Sequence, residues 1–180
     1  MLDYASFVQK KSVTVPECGF ESHEVNPKLF HWQTDIVHWA LRKGKAAVFA
    51  DCGLGKSCVQ LQWAKEVSEH ERKPVLILAP LAVAQQTKRE GIKFGIPVTV
   101  CRTQEDVQPG VNVTNYEMID HFDVNRFCGV VLDESSCIKH KDSKTRNKLQ
   151  EMFRDTPYKL CCTATPAPSD YVELGTHSEF

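Results

Sequence analysis

Short, unbroken runs of apolar residues recur along most of the chain, separated by longer stretches with helical spacing. The apolar runs lie at Ala46–Ala50, Val75–Ala79, Val98–Cys101, Val111–Thr114, Gly129–Asp133 and Tyr158–Thr163. Runs of this kind are typical of strands covered on both faces. Apolar residues recurring every three or four positions predict helices at Pro27–Lys43, Lys56–Val67, Ala82–Phe94 and Lys144–Phe153.

Strand, helix and strand repeated in this order predict an α/β fold, a mostly parallel sheet between two layers of helices. Ligands of such sheets bind beyond the carboxyl ends of the strands. We therefore expect the chemistry in the residues that follow each apolar run. Residues 1–25 are mixed, with a β-like stretch at Ser12–Val15, and are predicted to form an N-terminal extension to a domain at residues 26–180.

The composition narrows the class of protein. The 180 residues carry 22 Lys and Arg against 23 Asp and Glu, and 42% of them are hydrophobic, which excludes global disorder. No apolar run approaches the roughly 20 residues of a membrane-spanning helix, and an acidic start disfavours a signal peptide, so we expect a cytoplasmic protein without a membrane partner. A net charge of -1 argues against a broadly basic nucleic-acid coat but leaves room for a local basic patch.

Eight cysteines are scattered along the chain without a Cys-x-x-Cys pair. A metal site needs ligands that converge, so we expect no structural metal, and thiols that are free and mostly buried in a reducing compartment. Cys161 and Cys162 are adjacent in a predicted strand and should point to opposite faces of it.

A glycine-rich loop lies between the first predicted strand and a predicted helix. It reads Asp51-Cys52-Gly53-Leu54-Gly55-Lys56-Ser57. Its glycines allow backbone N–H groups to turn towards an anion, and the helix N-terminus adds further donors. All seven residues are candidate nucleotide contacts, with Lys56 reaching the β- and γ-phosphates and the Ser57 hydroxyl coordinating Mg²⁺. The alternative is an ordinary glycine-rich turn.

Two other strand ends carry polar residues that suit the same chemistry. Asp133, the last residue of one apolar run, would hold Mg²⁺ through its water shell, and Glu134 beside it would activate the water that attacks the γ-phosphate. Adjacent acids could instead cap a helix or face solvent. Thr163 and Thr165 lie at a third strand end, and their hydroxyls could bond these carboxylates and relay the state of the nucleotide. Without the other two segments, these threonines would indicate only a turn before Pro166.

Together these three segments resemble motifs I, II and III of the second helicase superfamily, in the N-terminal RecA-like lobe of DEAD/DEAH-like and Swi/Snf-type motors. The resemblance covers about residues 20–180. It implies a RecA-like, three-layer P-loop NTPase fold, ATP and Mg²⁺ as cofactors, and ATP hydrolysis coupled to movement on nucleic acid, with Lys56 and Glu134 as the catalytic residues. The sequences of motifs II and III are most similar to those of helicases from bacteriophages and prophages. This resemblance implies that the protein is found in a bacterial or phage-infected cell.

The resemblance assigns further residues. Gln33 would read the adenine edge, and Thr163 and Thr165 would couple the nucleotide to the grip on nucleic acid. Contacts to nucleic acid are implied for Pro80, Gln85, Asn115 and Tyr116. The two residues after the acids are serines here, unlike the residues at these positions in typical RNA helicases. We therefore expect DNA as the partner, with RNA as the alternative.

Proteins of this superfamily hold ATP between two RecA-like lobes, the second of which supplies an arginine finger. The 15 residues after Thr165 cannot build a second lobe. We therefore expect a fragment or half of a split motor, with the partner lobe in cis or in trans and weak or no hydrolysis by this chain alone. Two alternatives stay open, a non-catalytic half-motor that binds ATP or a partner, and a small P-loop kinase, which would need an arginine-rich lid.

Overall fold

All six apolar runs form strands of one parallel sheet. The computed structural model describes residues 16–23, 25–138, 144–167 and 180, and of residues 137 and 138 only the backbone. The strands are β1 (Lys45–Phe49), β2 (Val75–Ala79), β3 (Val98–Val100), β4 (Val111–Asn115), β5 (Gly129–Asp133) and β6 (Tyr158–Thr163). The α-helices of the described residues are α1 (His31–Lys43), α2 (Lys56–Glu71), α3 (Ala84–Phe94) and α4 (Lys144–Met152). The β-like stretch predicted at Ser12–Val15 lies outside the described residues.

The topology of the sheet brings three particular strands together. Their order is β1-β6-β5-β2-β4-β3, and each neighbouring pair is parallel. β6 therefore lies between β1 and β5, and at its carboxyl end Thr163 is in register with Phe49 and Cys162 with Asp133. The predicted α/β fold is confirmed, and the sheet is parallel throughout the described residues rather than only mostly so.

Helices cover both faces of the sheet. On one face α1, α2 and α3 bury a cluster that includes Val37, Trp63 and Val131. On the other face α4 and short 3₁₀ helices bury Leu149 and Leu132 in a second cluster. Adjacent residues of one strand alternate between the two clusters, as Cys161 and Cys162 do, which confirms their predicted opposite orientation. No disulfide joins the cysteines whose side chains are described.

The helix bounds differ from the predicted ones for local reasons. α1 begins at His31 and not at Pro27, because Phe30 is extended and its backbone N–H is bonded at 3.0 Å by the Gln33 side-chain oxygen. The described residues contain four 3₁₀ helices that were not predicted, because segments so short show no helical periodicity. They lie at Gln104–Asp106, Tyr116–His121, Val124–Arg126 and Ser135–Ile138.

The described residues before α1 pack against the domain. The backbone N–H of Gly19 donates to the Arg42 carbonyl at 3.0 Å, and that of Phe20 to the Leu41 carbonyl at 3.1 Å. The Phe20 ring stacks on His70 with 3.8 Å between centroids. This segment thus covers the ends of α1 and α2, while the predicted domain boundary at residues 25 and 26 stays a prediction.

Replacing Gly19 by alanine should destabilise the fold. A Cβ atom at this position would lie 1.7 Å from the Leu41 carbonyl oxygen, so the segment must lift and lose its hydrogen bonds to the end of α1. We expect a loss of about 1–3 kcal/mol in the free energy of unfolding, typical of overpacking. Urea denaturation measures it, with exposed Glu21→Ala in the same segment as the control. Equal stability of the two variants would show that this segment does not dock as described.

Candidate functional site

The ends of β1, β5 and β6 meet at one edge of the sheet. The backbone N–H of Ala50, at the start of the glycine-rich loop, donates to the Thr163 carbonyl at 3.2 Å. Asp133 ends β5 on the other side of β6, in register with Cys162. The three segments singled out in the sequence therefore lie side by side, because β6 is inserted between the two other strands.

The glycine-rich loop has the backbone of an anion-binding turn. Gly53 and Gly55 have φ angles of 80° and 71°, a region that side chains with a Cβ atom rarely adopt. Lys56 folds back over the loop, and its ammonium donates to the carbonyls of Ala50 at 2.9 Å and Asp51 at 3.2 Å. The ammonium is thereby held within the turn, where phosphate oxygens can replace the carbonyls as its acceptors.

Gln33 lies against this loop, as expected of a nucleotide contact. Its side chain is buried, its oxygen accepts from the Phe30 N–H, and its Nε2 donates to the Leu54 carbonyl at 3.3 Å. The approach is close, since a Cβ atom on Gly55 would lie 2.4 Å from Nε2. Gln33 thus links the start of α1 to the loop, and its contact with adenine stays a prediction.

Asp133 is a buried carboxylate held from two directions. It is 8% exposed, and its Oδ1 accepts from Gln60 Nε2 at 2.6 Å and from the Glu134 backbone N–H at 3.1 Å. Burial and the neighbouring Glu134 carboxylate hold the pKa of Asp133 above its usual value, although the Gln60 hydrogen bond and the positive charge of Lys56 oppose them. Asp133 ends β5 at the same edge of the sheet at which Lys56 follows β1, with β6 between the two strands.

Glu134 adopts a backbone conformation that is unusual for its residue type. Its φ angle is 49°, and such left-handed positions at residues other than glycine are frequent at functional sites. The Thr163 hydroxyl donates to its carboxylate at 3.4 Å, and the Thr165 N–H donates to the Thr163 hydroxyl oxygen at 3.1 Å. The Thr163 side chain thus joins the ends of β5 and β6, Thr165 contributes its backbone N–H, and the coupling role of the pair stays a prediction.

The oxygen donors at this edge fit a magnesium ion. Mg²⁺ prefers carboxylate and hydroxyl oxygens and retains several waters. Asp133 offers a carboxylate beside the phosphate loop, and Ser57, half-buried in the first turn of α2, offers a hydroxyl. These two residues would hold the ion, and their role as metal ligands stays a prediction.

A cleft of about 690 Å³ adjoins this site on the side of α4. Its lining residues are Pro80, Leu81, Tyr116, Glu117, Ile119, Glu134, Ser136, Lys144, Thr145, Lys148 and Leu149. Tyr116 connects the cleft to the acids, because its hydroxyl donates to the Asp133 backbone carbonyl at 2.7 Å. The cleft brings Pro80 and Tyr116 together, two of the predicted nucleic-acid contacts.

The other two predicted nucleic-acid contacts are placed differently. Gln85 is exposed on α3, whose buried residue Ala84 belongs to the core on the opposite face of the sheet from α4. Asn115 is half-buried at the end of β4, and neither residue is among those that line the cleft. The α4 residues Lys144 and Lys148 do line the cleft.

Comparison with protein families gives one match over most of the chain. A family model described as SNF2-related domain matches residues 29–177. No curated protein sequence matches the chain.

Solved structures share the fold. The Sulfolobus solfataricus SWI2/SNF2 ATPase core in complex with dsDNA is 20% identical with a TM-score of 0.71, over 88% of this chain and 36% of that one. The UvsW helicase from bacteriophage T4 is 13% identical with a TM-score of 0.67, over 98% and 65%. The Pyrococcus furiosus Hef helicase domain is 16% identical with a TM-score of 0.69, over 86% and 38%. The chain spans between about a third and two thirds of these proteins, and the likeness confirms the RecA-like α/β fold.

Proposed function

This chain belongs to the SNF2-related domain family, and on that premise we propose that it is the ATP-binding lobe of a DNA translocase or helicase. The observation that supports this most directly is the meeting of Lys56, Asp133 and Glu134 at one sheet edge, bridged by β6. A phosphate-binding lysine, a metal-binding acid and a second acid for water are the parts that hydrolysis of ATP requires.

The chain's own residues would divide the chemistry as follows. The loop N–H groups and the Lys56 ammonium bind the β- and γ-phosphates, and Ser57 and Asp133 hold Mg²⁺, which when bound neutralises phosphate charge. Glu134 accepts a proton from the water whose oxygen attacks the γ-phosphorus, and ADP leaves. The Thr163 hydroxyl orients Glu134 for this step, since it donates to that carboxylate.

A second RecA-like lobe, in cis or in trans, would complete the site. The chain covers 36% of the SWI2/SNF2 ATPase core to which it is similar, and P-loop ATPases gain about 10³–10⁵ in rate from an arginine finger. We propose that this chain alone binds Mg-ATP and hydrolyses it slowly. Adding a candidate second lobe should raise the rate of phosphate release, which a phosphate assay measures.

Titration calorimetry with ATP and GTP, with and without Mg²⁺, tests the proposed function. We expect binding that requires Mg²⁺ for full affinity and that favours ATP by about tenfold, or 1.4 kcal/mol, through Gln33. Incubation with ATP and small-molecule acceptors distinguishes an ATPase from a small P-loop kinase. Release of free phosphate indicates an ATPase, and a phosphorylated acceptor indicates a kinase. No nucleotide binding under any of these conditions would contradict the proposal.

The cleft beside Glu134 is the proposed site of contact with DNA. Lys144 supplies positive charge along one side, the Lys148 ammonium is paired with Asp120 at 2.5 Å, and the Tyr116 hydroxyl bonds the Asp133 backbone. One protein of similar fold is described in complex with dsDNA, which favours DNA over RNA as the partner. A DNA strand bound in this cleft would contact residues next to the end of β5, which carries the two acids.

Replacing Lys144 by alanine should weaken binding to DNA. If this exposed side chain contacts one phosphate, its loss should lower affinity several-fold and reduce the slope of log affinity against log salt by about one. Fluorescence anisotropy with labelled duplex at several salt concentrations measures both. Lys93→Ala, at the exposed end of α3 and outside the cleft, is the control, and an equal effect of the two variants would exclude a specific role for the cleft.

A further inference from the structure

A buried glutamine connects the helix of the phosphate loop to the metal-binding acid. Gln60 lies one turn after Ser57 on α2 and is 1% exposed. Its Nε2 donates to Asp133 Oδ1 at 2.6 Å, across 73 residues of sequence. Among the described residues this short, buried contact is the direct side-chain bond between the two segments that would hold Mg²⁺.

The direction of this hydrogen bond decides which oxygen of Asp133 is used. Both hydrogen bonds that the described residues make to this carboxylate, from Gln60 and from the Glu134 backbone, fall on Oδ1. A carboxylate bound at one oxygen has its rotation fixed, and its second oxygen stays available for another ligand. Ligands of metals are commonly oriented in this way by polar groups behind them.

We propose that Gln60 is a positioning residue for the magnesium site, which holds the Asp133 carboxylate by Oδ1 and leaves Oδ2 for the metal and its water shell. The inference rests on the proposed function. It adds that α2 carries the hydroxyl ligand and the group that orients the acidic ligand one turn apart. Phosphates that settle in the loop at the start of α2 would therefore fix both metal ligands together.

A purely structural role of Gln60 predicts a different behaviour. A buried amide that only satisfies a buried acid would affect folding and leave the metal dependence of nucleotide binding unchanged. The same helix offers a matched control in Gln62, which is 2% exposed and donates to Glu66 Oε1 at 2.7 Å. Gln62 has the same residue type, burial and kind of partner without contact to Asp133.

The test compares Gln60→Met with Gln62→Met in the full chain. ADP and ATP affinities are measured with and without Mg²⁺ by calorimetry, and Mn²⁺ binding in the presence of ADP by electron paramagnetic resonance. We expect Gln60→Met to reduce the gain in affinity from metal about 10- to 100-fold, the usual effect of losing such a partner, with metal-free affinity unchanged. Gln62→Met should leave both quantities at the wild-type value.

The outcomes separate this proposal from the proposed function. Wild-type chain that fails to bind nucleotide would overturn the proposed function and this inference with it. Wild-type binding that strengthens with Mg²⁺, together with an unchanged metal dependence in Gln60→Met, would overturn the inference alone. A loss of metal-free and metal-dependent affinity in equal proportion would also overturn it, because it would indicate general damage to the loop.

A second measurement needs no variant and holds even where Gln60→Met does not fold. In wild-type chain labelled with ¹⁵N-glutamine, the side-chain amide of Gln60 should shift on addition of Mg-ADP and much less on addition of ADP alone. The Gln62 amide, bonded to Glu66, serves as the internal reference. Equal responses of the two amides to Mg-ADP would show that Gln60 does not sense the metal.

Discussion

Lys56→Met should lower the affinity of the chain for Mg-ATP by at least about 100-fold, or 2.7 kcal/mol. The ammonium is held within the phosphate loop by the Ala50 and Asp51 carbonyls, where a triphosphate would meet it. Hydrogen bonds to charged groups contribute about 1.5–3 kcal/mol each, and methionine keeps the length of the side chain while removing its charge. Titration calorimetry or displacement of a fluorescent nucleotide measures the loss.

The fold should survive this substitution, which makes the experiment specific. In the described structure the ammonium bonds only loop carbonyls, so its removal should change the free energy of unfolding by less than about 1 kcal/mol. Lys73→Met is the matched control. Lys73 is exposed and lies before the amino end of β2, whereas the site lies at the carboxyl ends of the strands. Nucleotide binding by Lys56→Met at the level of this control would refute the assignment of the loop.

The parallel sheet could be predicted from sequence because its strands are covered on both faces. Such strands show as unbroken apolar runs, and β2 and β5 are fully buried along their whole length. Their order across the sheet could not be predicted, because apolar runs carry no record of which strands are neighbours. The position of β6 between β1 and β5, which brings the three polar strand ends together, is visible only in the tertiary structure.

The candidate site likewise contains residues that could be predicted from sequence and residues that could not. Residues within one loop, such as Lys56 and Ser57, are close in sequence and therefore predictable from their spacing. The sequence did not predict the role of Gln60, because the spacing of residues along a helix cannot show a partner 73 residues away. Gln85 and Asn115, expected from linear motifs to contact nucleic acid, lie outside the lining of the cleft, and their role stays a prediction.

We propose that Glu134 acts on water and does not bind the phosphates. Its left-handed backbone turns it away from the path of β5, and its carboxylate is contacted by the Thr163 hydroxyl. Unlike Lys56, it makes no described contact with the phosphate loop. Binding and hydrolysis should therefore separate in variants of these two residues, with Lys56→Met failing at binding and a Glu134 variant at turnover.

Glu134→Gln should leave Mg-ATP affinity within about threefold of wild type and slow hydrolysis of the bound ATP by about 10²–10⁴, the usual contribution of a general base. The amide keeps the size of the side chain and its oxygen for Thr163, but it cannot accept a proton from water. Single-turnover assays with the chain in excess over ATP measure slow rates. Glu117→Gln, the same substitution in the same cleft, should retain the wild-type rate. Equal rates for all three proteins would mean that another group activates the water, because the geometry around Glu134 would then have no catalytic consequence.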